Sequence, residues 1–243
     1  MASRFGFALI RKTEPPVAQP DLEPEFRPLY KSCAPYTLTS IERVYALWKA
    51  VAYLSRHGIA GDIVECGVWR GGSMMAVART LVELGDTRDR TLWLYDTYEG
   101  MSEPTDRDVN RGNRAARRRW ERSRRDGHND WNYAPLDDVR RNVESTGYPA
   151  SGMRFVKGKV EDTIPGAIPE RIALLRLDTD FYESTYHEMV HLYPRLVSRG
   201  VLILDDYGHW RGAREAVDLD LAEQNPPLLL DRVDYSGRIA VKP

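Results

Sequence analysis

The sequence has few cysteines, no long hydrophobic run and almost no net charge. Two cysteines among 243 residues are too few for a disulfide-rich scaffold and are typical of a reducing compartment. No stretch approaches the roughly 20 apolar residues of a transmembrane helix. The apolar segment 5–10 is shorter than the core of a signal peptide. A net charge of −1 gives no general attraction for nucleic acid or lipid. We therefore expect a cytoplasmic protein with neither nucleic-acid nor membrane partners.

The composition is that of a globular protein with one extensive core. Hydrophobic residues make up 42% of the chain and charged residues 29%. Residues 1–35 contain six prolines, which should prevent a regular helix there and leave an irregular N-terminal arm. Such an arm either wraps a neighbouring subunit or is a disordered tail. The first possibility favours a homo-oligomer.

Beyond the arm, short apolar runs alternate with amphipathic segments. The alternation predicts a mostly parallel sheet with right-handed crossovers and helices on both faces, finished by a late antiparallel hairpin. Predicted strands cover residues 62–66, 91–95, 153–156, 172–177, 201–204, 228–231 and 237–241. Predicted helices cover residues 41–57, 73–84, 136–146, 183–197 and 211–223. Residues 100–133 are polar and weakly patterned.

Four carboxylates follow two of the predicted strands at the point where each strand ends. Asp178 and Asp180 come directly after residues 172–177, and Asp205 and Asp206 follow residues 201–204. Ligands of open α/β sheets bind beyond the carboxyl ends of such strands, so we expect these four side chains to converge. Converging carboxylates repel one another unless a cation or a shared proton compensates. A divalent ion held by oxygen ligands is the simplest compensation, whereas capping of the next helix is the simpler structural alternative for Asp205 and Asp206.

A glycine-containing turn links the first strand to its helix. It runs from Glu65 through Gly67 and Gly71 to Ser73, and its spacing is neither that of a dinucleotide fingerprint nor that of a phosphate-binding loop. Glu65 would repel a pyrophosphate but suits a cationic amine, and Asp96 at the next strand end can accept hydrogen bonds from ribose hydroxyls. An amine, a ribose and no pyrophosphate together describe S-adenosylmethionine. A structural corner without a ligand is the alternative.

These residues and several longer segments resemble the macrocin O-methyltransferase family, which methylates sugar hydroxyls in natural-product assembly. The resemblance implies a Rossmann-like S-adenosylmethionine-dependent methyltransferase fold with a seven-stranded sheet, over residues 36–243, and a helical lid insertion at 100–133. It also implies magnesium and a sugar or glycoside substrate. The matching segments are 36–40, 63–73, 95–101, 160–165, 177–185 and 204–207, with Trp210, Gly212, Ala216, Val217 and Asp218.

The same resemblance implies roles for individual residues. Magnesium would be held by Asp178, Asp205 and Asp206. Asp180 is the candidate general base, because a continuing strand would place it on the same face as Asp178. The cofactor would contact Tyr36, Thr37, Glu65, Gly67, Gly71, Ser73, Asp96, Tyr98, Glu161, Asp162 and Asp178. Tyr98 could equally be an ordinary core residue. His209 and Trp210 could contact substrate or pack under the loop.

Two enzyme classes and one binding class remain open beside sugar methylation. A catechol-like phenol would use the same metal logic, since adjacent hydroxyls also chelate. An inactive cofactor-fold module could hold a partner through its arginines. Residues His187–His191 match the H-E-x-x-H zinc pattern, with Glu215 as a possible third ligand. The apolar side of the surrounding helix favours a crossover helix instead.

An arginine-rich run lies in the segment 100–133. Its members are Arg114, Arg117, Arg118, Arg119, Arg122, Arg124 and Arg125, grouped around Trp120. Such runs are usually solvated helix faces, and with an aromatic residue they can also hold nucleic acid. A lid that favours an anionic substrate, such as a nucleotide-linked sugar, is a third hypothesis.

Overall fold

The computed structural model describes residues 21–224 and 226–243. Most of the predicted N-terminal arm therefore lies outside the described residues. The part that is described contains a helix, α1 (Phe26–Cys33), so the prediction that prolines prevent one is wrong here. Pro28 is the third residue of α1, where a backbone N–H has no partner within the helix. Phe26 is fully buried and packs edge-on against Tyr45, which makes α1 part of the core.

The remaining elements follow the predicted alternation closely. The helices are α2 (Ile41–Arg56), α3 (Gly72–Leu84), α4 (Arg117–Ser123), α5 (Leu136–Glu144), α6 (Val160–Thr163), α7 (Tyr182–Leu192) and α8 (Arg211–Gln224). The strands are β1 (Asp62–Cys66), β2 (Leu92–Asp96), β3 (Arg124–Arg125), β4 (His128–Asn129), β5 (Met153–Lys157), β6 (Ile172–Leu177), β7 (Leu196–Leu204), β8 (Asp231–Arg232) and β9 (Arg238–Val241). Among these described helices, none has the length and apolarity to cross a membrane.

Seven strands form one sheet in the order β5-β2-β1-β6-β7-β9-β8. The first five are parallel, and β9 is antiparallel to both β7 and β8. Successive residues of a strand face opposite sides: Ile63 packs in the layer of α2 and α3, and Val64 in the layer of α7 and α8. The predicted mostly parallel seven-stranded sheet with helices on both faces is confirmed.

Two boundaries differ from prediction because of one proline. The helix expected over 183–197 ends at Leu192, and Pro194 lies in a short 3-10 turn that follows. Proline lacks the N–H that would continue the helical ladder. The chain therefore becomes extended at Leu196, and β7 is longer than the predicted 201–204.

The segment expected as a helical lid contains one helix and a hairpin. The helix is α4, and β3 pairs antiparallel with β4 directly after it. The segment is anchored on the main domain through a small aromatic cluster. Trp131 lies 5.8 Å from Phe181 and 6.0 Å from Trp210, measured between ring centroids. A bridge between Asn110 and Trp210 fixes its other end. The insertion is thereby held beside the carboxyl ends of the strands.

Candidate functional site

A cavity of about 410 Å³ lies beyond the carboxyl ends of β1, β2, β6 and β7. Its floor is formed by the residues that follow these strands. Residues 37–39 form one wall, and parts of the 100–133 insertion form another. The volume is in the range of sites that bind small molecules. Its position is where parallel α/β sheets bind their ligands.

Three carboxylates meet on the cavity floor. One oxygen each from Asp178, Asp205 and Asp206 lies within 4.8 Å of the others. Adjacent strands bring them together, because the Asp205 N–H donates to the Leu177 carbonyl at 2.9 Å and keeps the two strand ends level. The convergence predicted from the strand pattern is confirmed. Within the described residues, this is the group of acidic, histidine or cysteine side chains whose spacing suits a metal ion.

Two arginines that the sequence analysis missed pair with this cluster, Arg176, which is buried, and Arg43, which is partly buried. Arg176 of β6 donates from Nη1 to Glu65 Oε1 at 2.5 Å and to Asp178 Oδ2 at 2.8 Å. Its Nη2 donates to Asp205 Oδ1 at 2.5 Å. Arg43 of α2 pairs with the other oxygen of Asp205. The one signal for Arg176 was a charged residue inside an apolar strand, which needs buried partners.

The arginines only partly neutralise the cluster. Five carboxylates, Glu65, Asp178, Asp180, Asp205 and Asp206, face two guanidiniums, Arg43 and Arg176. Burial raises the pKa of both Asp178 and Asp206 well above the usual range, against the opposing effect of Arg176 on Asp178. Each carboxylate oxygen has two lone pairs, so an oxygen that accepts from an arginine can still ligate an ion. The donor set therefore fits a hard divalent cation.

Asp180 reaches the cluster by a route that the sequence analysis did not predict. The strand ends at Leu177, and Asp180 adopts a left-handed backbone with φ of 69° instead of continuing β6. Its N–H donates to Asp206 Oδ2 at 3.1 Å. Burial and the Asp178 charge raise the pKa of Asp180 to about 7. A carboxylate with such a pKa is suited to accept a proton near neutral pH.

The glycine turn passes very close to the end of β6. Gly67 has φ of +82°, and a Cβ placed on it would lie 2.0 Å from the Asp178 carbonyl oxygen. Only glycine fits that approach. A Cβ on Gly72 would lie 2.5 Å from the backbone of Tyr36, so residues 36–39 lie directly against the start of α3. These contacts leave Ser73 and the backbone of Gly67 facing the cavity.

Asp96 lines the cavity and also shapes the turn. Its Oδ2 accepts from the N–H groups of Val68 at 2.7 Å and Trp69 at 3.0 Å, and its Oδ1 accepts from Tyr98 N–H at 2.7 Å. Both lone pairs of Oδ2 are used. The Thr97 hydroxyl lies 3.4 Å from Oδ1 but has a shorter hydrogen bond, 2.6 Å, to the Gly100 carbonyl, so Oδ1 can still accept from a further donor. Hydrogen bonding to a ribose hydroxyl through Oδ1 remains a prediction.

Glu65 is buried below the cavity floor with one oxygen unsatisfied. The side chain is 1% exposed and Oε1 pairs with Arg176. Oε2 has no hydrogen-bond partner among the described residues. Burial raises the pKa of Glu65 to about 7. A buried acceptor without a donor is costly, so a cationic donor at this point would be stabilising.

The predicted cofactor residues divide into two groups. Those that line the cavity are Thr37, Gly67, Ser73, Asp96, Glu161 and Asp178. Those absent from its lining are Tyr36, Glu65, Gly71, Tyr98 and Asp162. The adenosine-pocket role for Tyr98 stays a prediction from the resemblance; its ring is buried in the core and its hydroxyl donates to the Leu94 carbonyl. Gly71 instead supplies a left-handed N-cap for α3, packed against Val143.

The H-E-x-x-H pattern does not form a metal site. Glu188 is fully buried and accepts from the Thr179 hydroxyl at 3.2 Å. His187 contacts the Ile164 carbonyl through Nε2. Glu215, the possible third ligand, pairs with Arg107. The pattern is that of a crossover helix with one buried acid, as the apolar periodicity of the segment favours.

Comparisons with known proteins agree with this architecture. The profile of the macrocin-O-methyltransferase (TylF) family matches residues 26–239. The chain is similar to the 8-demethyl-8-(2,3-dimethoxy-alpha-L-rhamnosyl)-tetracenomycin-C 4'-O-methyltransferase of Streptomyces olivaceus, with 37% identity over 189 residues, covering 78% of this chain and 69% of the relative. It is also similar to the mycinamicin III 3''-O-methyltransferase of Micromonospora griseorubida, with 35% identity over 174 residues, covering 71% of this chain and 65% of the relative.

A solved structure supports the same assignment of fold. The O-methyltransferase NovP superposes with a TM-score of 0.73 at 31% identity, covering 85% of this chain and 82% of that chain. The Rossmann-like methyltransferase fold predicted from sequence is confirmed. The alignments with the two curated relatives span only about two thirds of each relative's length.

Proposed function

Because the chain belongs to the macrocin O-methyltransferase family, we propose that it transfers a methyl group from S-adenosylmethionine to a sugar hydroxyl of a natural product, with magnesium bound. The observation that carries the proposal is the meeting of Asp178, Asp180 and Asp206 with the glycine turn in one cavity. The relative from Streptomyces olivaceus acts on a rhamnosyl compound, which favours a glycoside over a simple phenol as the substrate. The presence of Asp178, Asp180, Asp205 and Asp206 together in the cavity argues against a catalytically inactive binding module.

The cavity offers a site for the cofactor along the glycine turn. S-adenosylmethionine supplies a methyl group on a positively charged sulfur. The backbone of Gly67 lines the cavity at the end of β1. Glu65 lies below the cavity floor, and its negative charge would favour the cofactor's ammonium group without direct contact. Asp96 Oδ1 and Glu161 line the wall on which a ribose would lie. These contacts need no pyrophosphate site, in agreement with the acidic character of the floor.

Asp178, Asp205 and Asp206 are the residues that would hold magnesium. The ion would supply positive charge that favours deprotonation of a nearby hydroxyl, as bound metals do for water. Arg176 and Arg43 fix the orientation of Asp205 by pairing with both of its oxygens. Arg176 also holds Asp178. A ligand set that is oriented in advance loses less entropy when it binds.

Asp180 is proposed as the general base. The acceptor oxygen forms a bond to the methyl carbon as the bond from that carbon to sulfur breaks, and the hydroxyl proton goes to the Asp180 carboxylate. A pKa of about 7 suits this transfer. The hydrogen bond from its N–H to Asp206 fixes Asp180 beside the proposed ligands. Alignment of the reacting atoms then supplies much of the rate.

Two variants test these roles separately. Asp180→Asn should lower turnover by about 100-fold or more, with unchanged affinity for S-adenosylhomocysteine. Asp206→Asn should raise the magnesium concentration needed for half-maximal activity and also leave cofactor affinity unchanged. Methyl transfer to a panel of rhamnosides and calorimetric binding of S-adenosylhomocysteine are the measurements.

Glu83→Gln is the matched control, because this acid is exposed on α3, outside the cavity lining. Near-normal turnover and magnesium response in Asp206→Asn would show that the ligand assignment is wrong. Cofactor binding without methyl transfer to any glycoside would contradict the substrate class.

A further inference from the structure

One arginine of the 114–125 run differs from the others in its surroundings. Arg119 of α4 lines the central cavity, and it is the one member of the run that does so in the described chain. Arg117 pairs with Glu103, and Arg125 pairs with Asp130. The run therefore does not act as one charged surface. Of the seven arginines, Arg119 is the one placed to contact a ligand in the cavity.

The Arg119 guanidinium lies over a rigid aromatic ring. Its Cζ lies 4.3 Å from the ring centroid of Trp131. Trp131 is 4% exposed, and it is fixed by the rings of Phe181 and Trp210 and by an N–H bond to the Asn129 side chain. Stacking occupies the face of a guanidinium and leaves the N–H groups at its edge free to donate. The Trp131 ring therefore supports one face of the Arg119 guanidinium at the cavity wall, where the N–H groups of that guanidinium can donate to a ligand.

The donors of Arg119 have no acceptor among the residues that the structure describes. No ion pair or side-chain hydrogen bond of Arg119 is present among residues 21–224 and 226–243. The other cavity arginine, Arg43, is neutralised by Asp205 and Asp234. An oriented guanidinium without a partner is complementary to a planar or tetrahedral oxyanion.

A second arginine lies over an aromatic ring that lines the cavity. The Cζ of Arg111 lies 4.5 Å from the ring centroid of Tyr235, which lines the cavity beside His209. Arg111 likewise has no acidic partner in the described chain. Two arginines without an acidic partner in the described chain, Arg119 and Arg111, therefore lie at or near the wall of a cavity whose floor is acidic. A substrate that places a neutral sugar on the floor and an anion beside these arginines would match both regions.

We propose that the acceptor sugar carries an anionic group of the phosphate or carboxylate class, and that Arg119, stacked on Trp131, binds this group and selects for it. The proposal rests on the proposed methyl transfer to a sugar and names the kind of sugar. A neutral acceptor stacked on the Arg119–Trp131 pair is the competing outcome. An anionic acceptor should bind less tightly when the charge of Arg119 or of the sugar is removed, whereas a neutral acceptor should not depend on either charge.

A matched pair of probes separates the outcomes. α-L-Rhamnose 1-phosphate and methyl α-L-rhamnoside share a sugar and differ in charge. Binding is measured by calorimetry with S-adenosylhomocysteine and magnesium present, for wild type, Arg119→Gln, Arg119→Lys and the control Arg118→Gln. Arg118 lies beside Arg119 in α4, is exposed and does not line the cavity.

The wild type should bind the phosphorylated sugar at least about 10-fold more tightly than the neutral one, since charge-assisted bonds are the strong ones. Arg119→Gln should lose this preference and keep its affinity for the neutral sugar. Arg119→Lys should keep part of it, because it retains charge without the planar fork. Arg118→Gln should match the wild type. In the wild type and in Arg118→Gln, the preference for the phosphorylated sugar should shrink as the salt concentration is raised.

Equal affinity of the wild type for both sugars, or no binding of the phosphorylated one at millimolar concentration, would overturn the proposal. So would an equal loss for both sugars in Arg119→Gln, which would indicate a structural role. Binding of S-adenosylhomocysteine and methyl transfer are measured on the same samples. A protein that binds the phosphorylated sugar through Arg119 but transfers no methyl group would refute the proposed function and leave this assignment standing.

Discussion

The close approach of Gly67 to the backbone of Asp178 makes Gly67→Ala an informative substitution. Gly67 joins β1 to α3 at φ of +82°, and its added Cβ would lie 2.0 Å from the Asp178 carbonyl oxygen and 2.6 Å from the carbonyl carbon. Alanine is therefore disfavoured at this position for two reasons. Its side chain is strained in the left-handed backbone conformation, and its Cβ collides with the Asp178 backbone directly after β6. The second effect also displaces Asp178, a proposed metal ligand.

The two costs can be estimated separately. An alanine in a left-handed conformation costs about 1–2 kcal/mol. Relief of the collision requires β1 and β6 to separate at their ends. This separation breaks the hydrogen bond that Asp178 N–H donates to the Cys66 carbonyl at 2.8 Å. A buried donor or acceptor left unsatisfied costs about 1–3 kcal/mol. We expect Gly67→Ala to lower the free energy of unfolding by about 2–5 kcal/mol.

Gly85 provides a matched control for the conformational cost. It has φ of +70°, and nothing lies within 4 Å of an added Cβ. Gly85→Ala should therefore show only the cost of the left-handed backbone. The free energy of unfolding is measured by urea denaturation, and cofactor affinity by calorimetry with S-adenosylhomocysteine. A Gly67→Ala loss no larger than that of Gly85→Ala, with unchanged cofactor affinity, would refute the reasoning.

Two further predictions concern the buried charges of the floor. Arg176→Met removes a cation that is only 3% exposed. Because it leaves buried carboxylates unpaired, it should lower the free energy of unfolding by about 3–5 kcal/mol near neutral pH, measured by urea denaturation. A loss under about 1 kcal/mol would show that the carboxyl groups that pair with Arg176 are already protonated. Burial raises the pKa of Glu65 from 4.5 to about 7, so the folded state holds a proton that the unfolded chain releases. In metal- and cofactor-free protein, its ionisation therefore lowers stability as pH rises through this window. The free energy of unfolding of Glu65→Gln, measured relative to that of the wild type, should rise as pH rises across this window. A difference between the two proteins that does not change with pH would contradict the raised pKa of Glu65.

The sequence was most informative where local pattern and function coincide. The strand ends at Leu177 and Leu204 were visible because apolar runs stop at acidic residues, and parallel neighbours must present such ends together. Helix α1 was missed because a proline count ignores position, and Pro28 lies in a first turn that tolerates it. Tyr98 was placed with the cofactor residues by resemblance, but its side chain turns into the core.

The sequence does not show contacts between distant segments. Arg43 reaches Asp205 across 162 positions of the chain, and nothing in the local pattern around α2 indicates that pairing. The same is true of Arg119 on Trp131, because seven arginines in one run look alike until the fold selects one. The homo-oligomeric state and the cytoplasmic location stay predictions from the sequence.

The periodicity of apolar residues by itself determined the order of strands and helices, and with it the edge of the sheet where the acids gather. This follows because burial of side chains depends on spacing along the chain, which a sequence displays directly. Only the tertiary structure decided which cations neutralise those acids, which arginine faces the cavity, and how Asp180 turns toward Asp206. These outcomes depend on distances between segments that are remote in the chain, and those distances are set by packing.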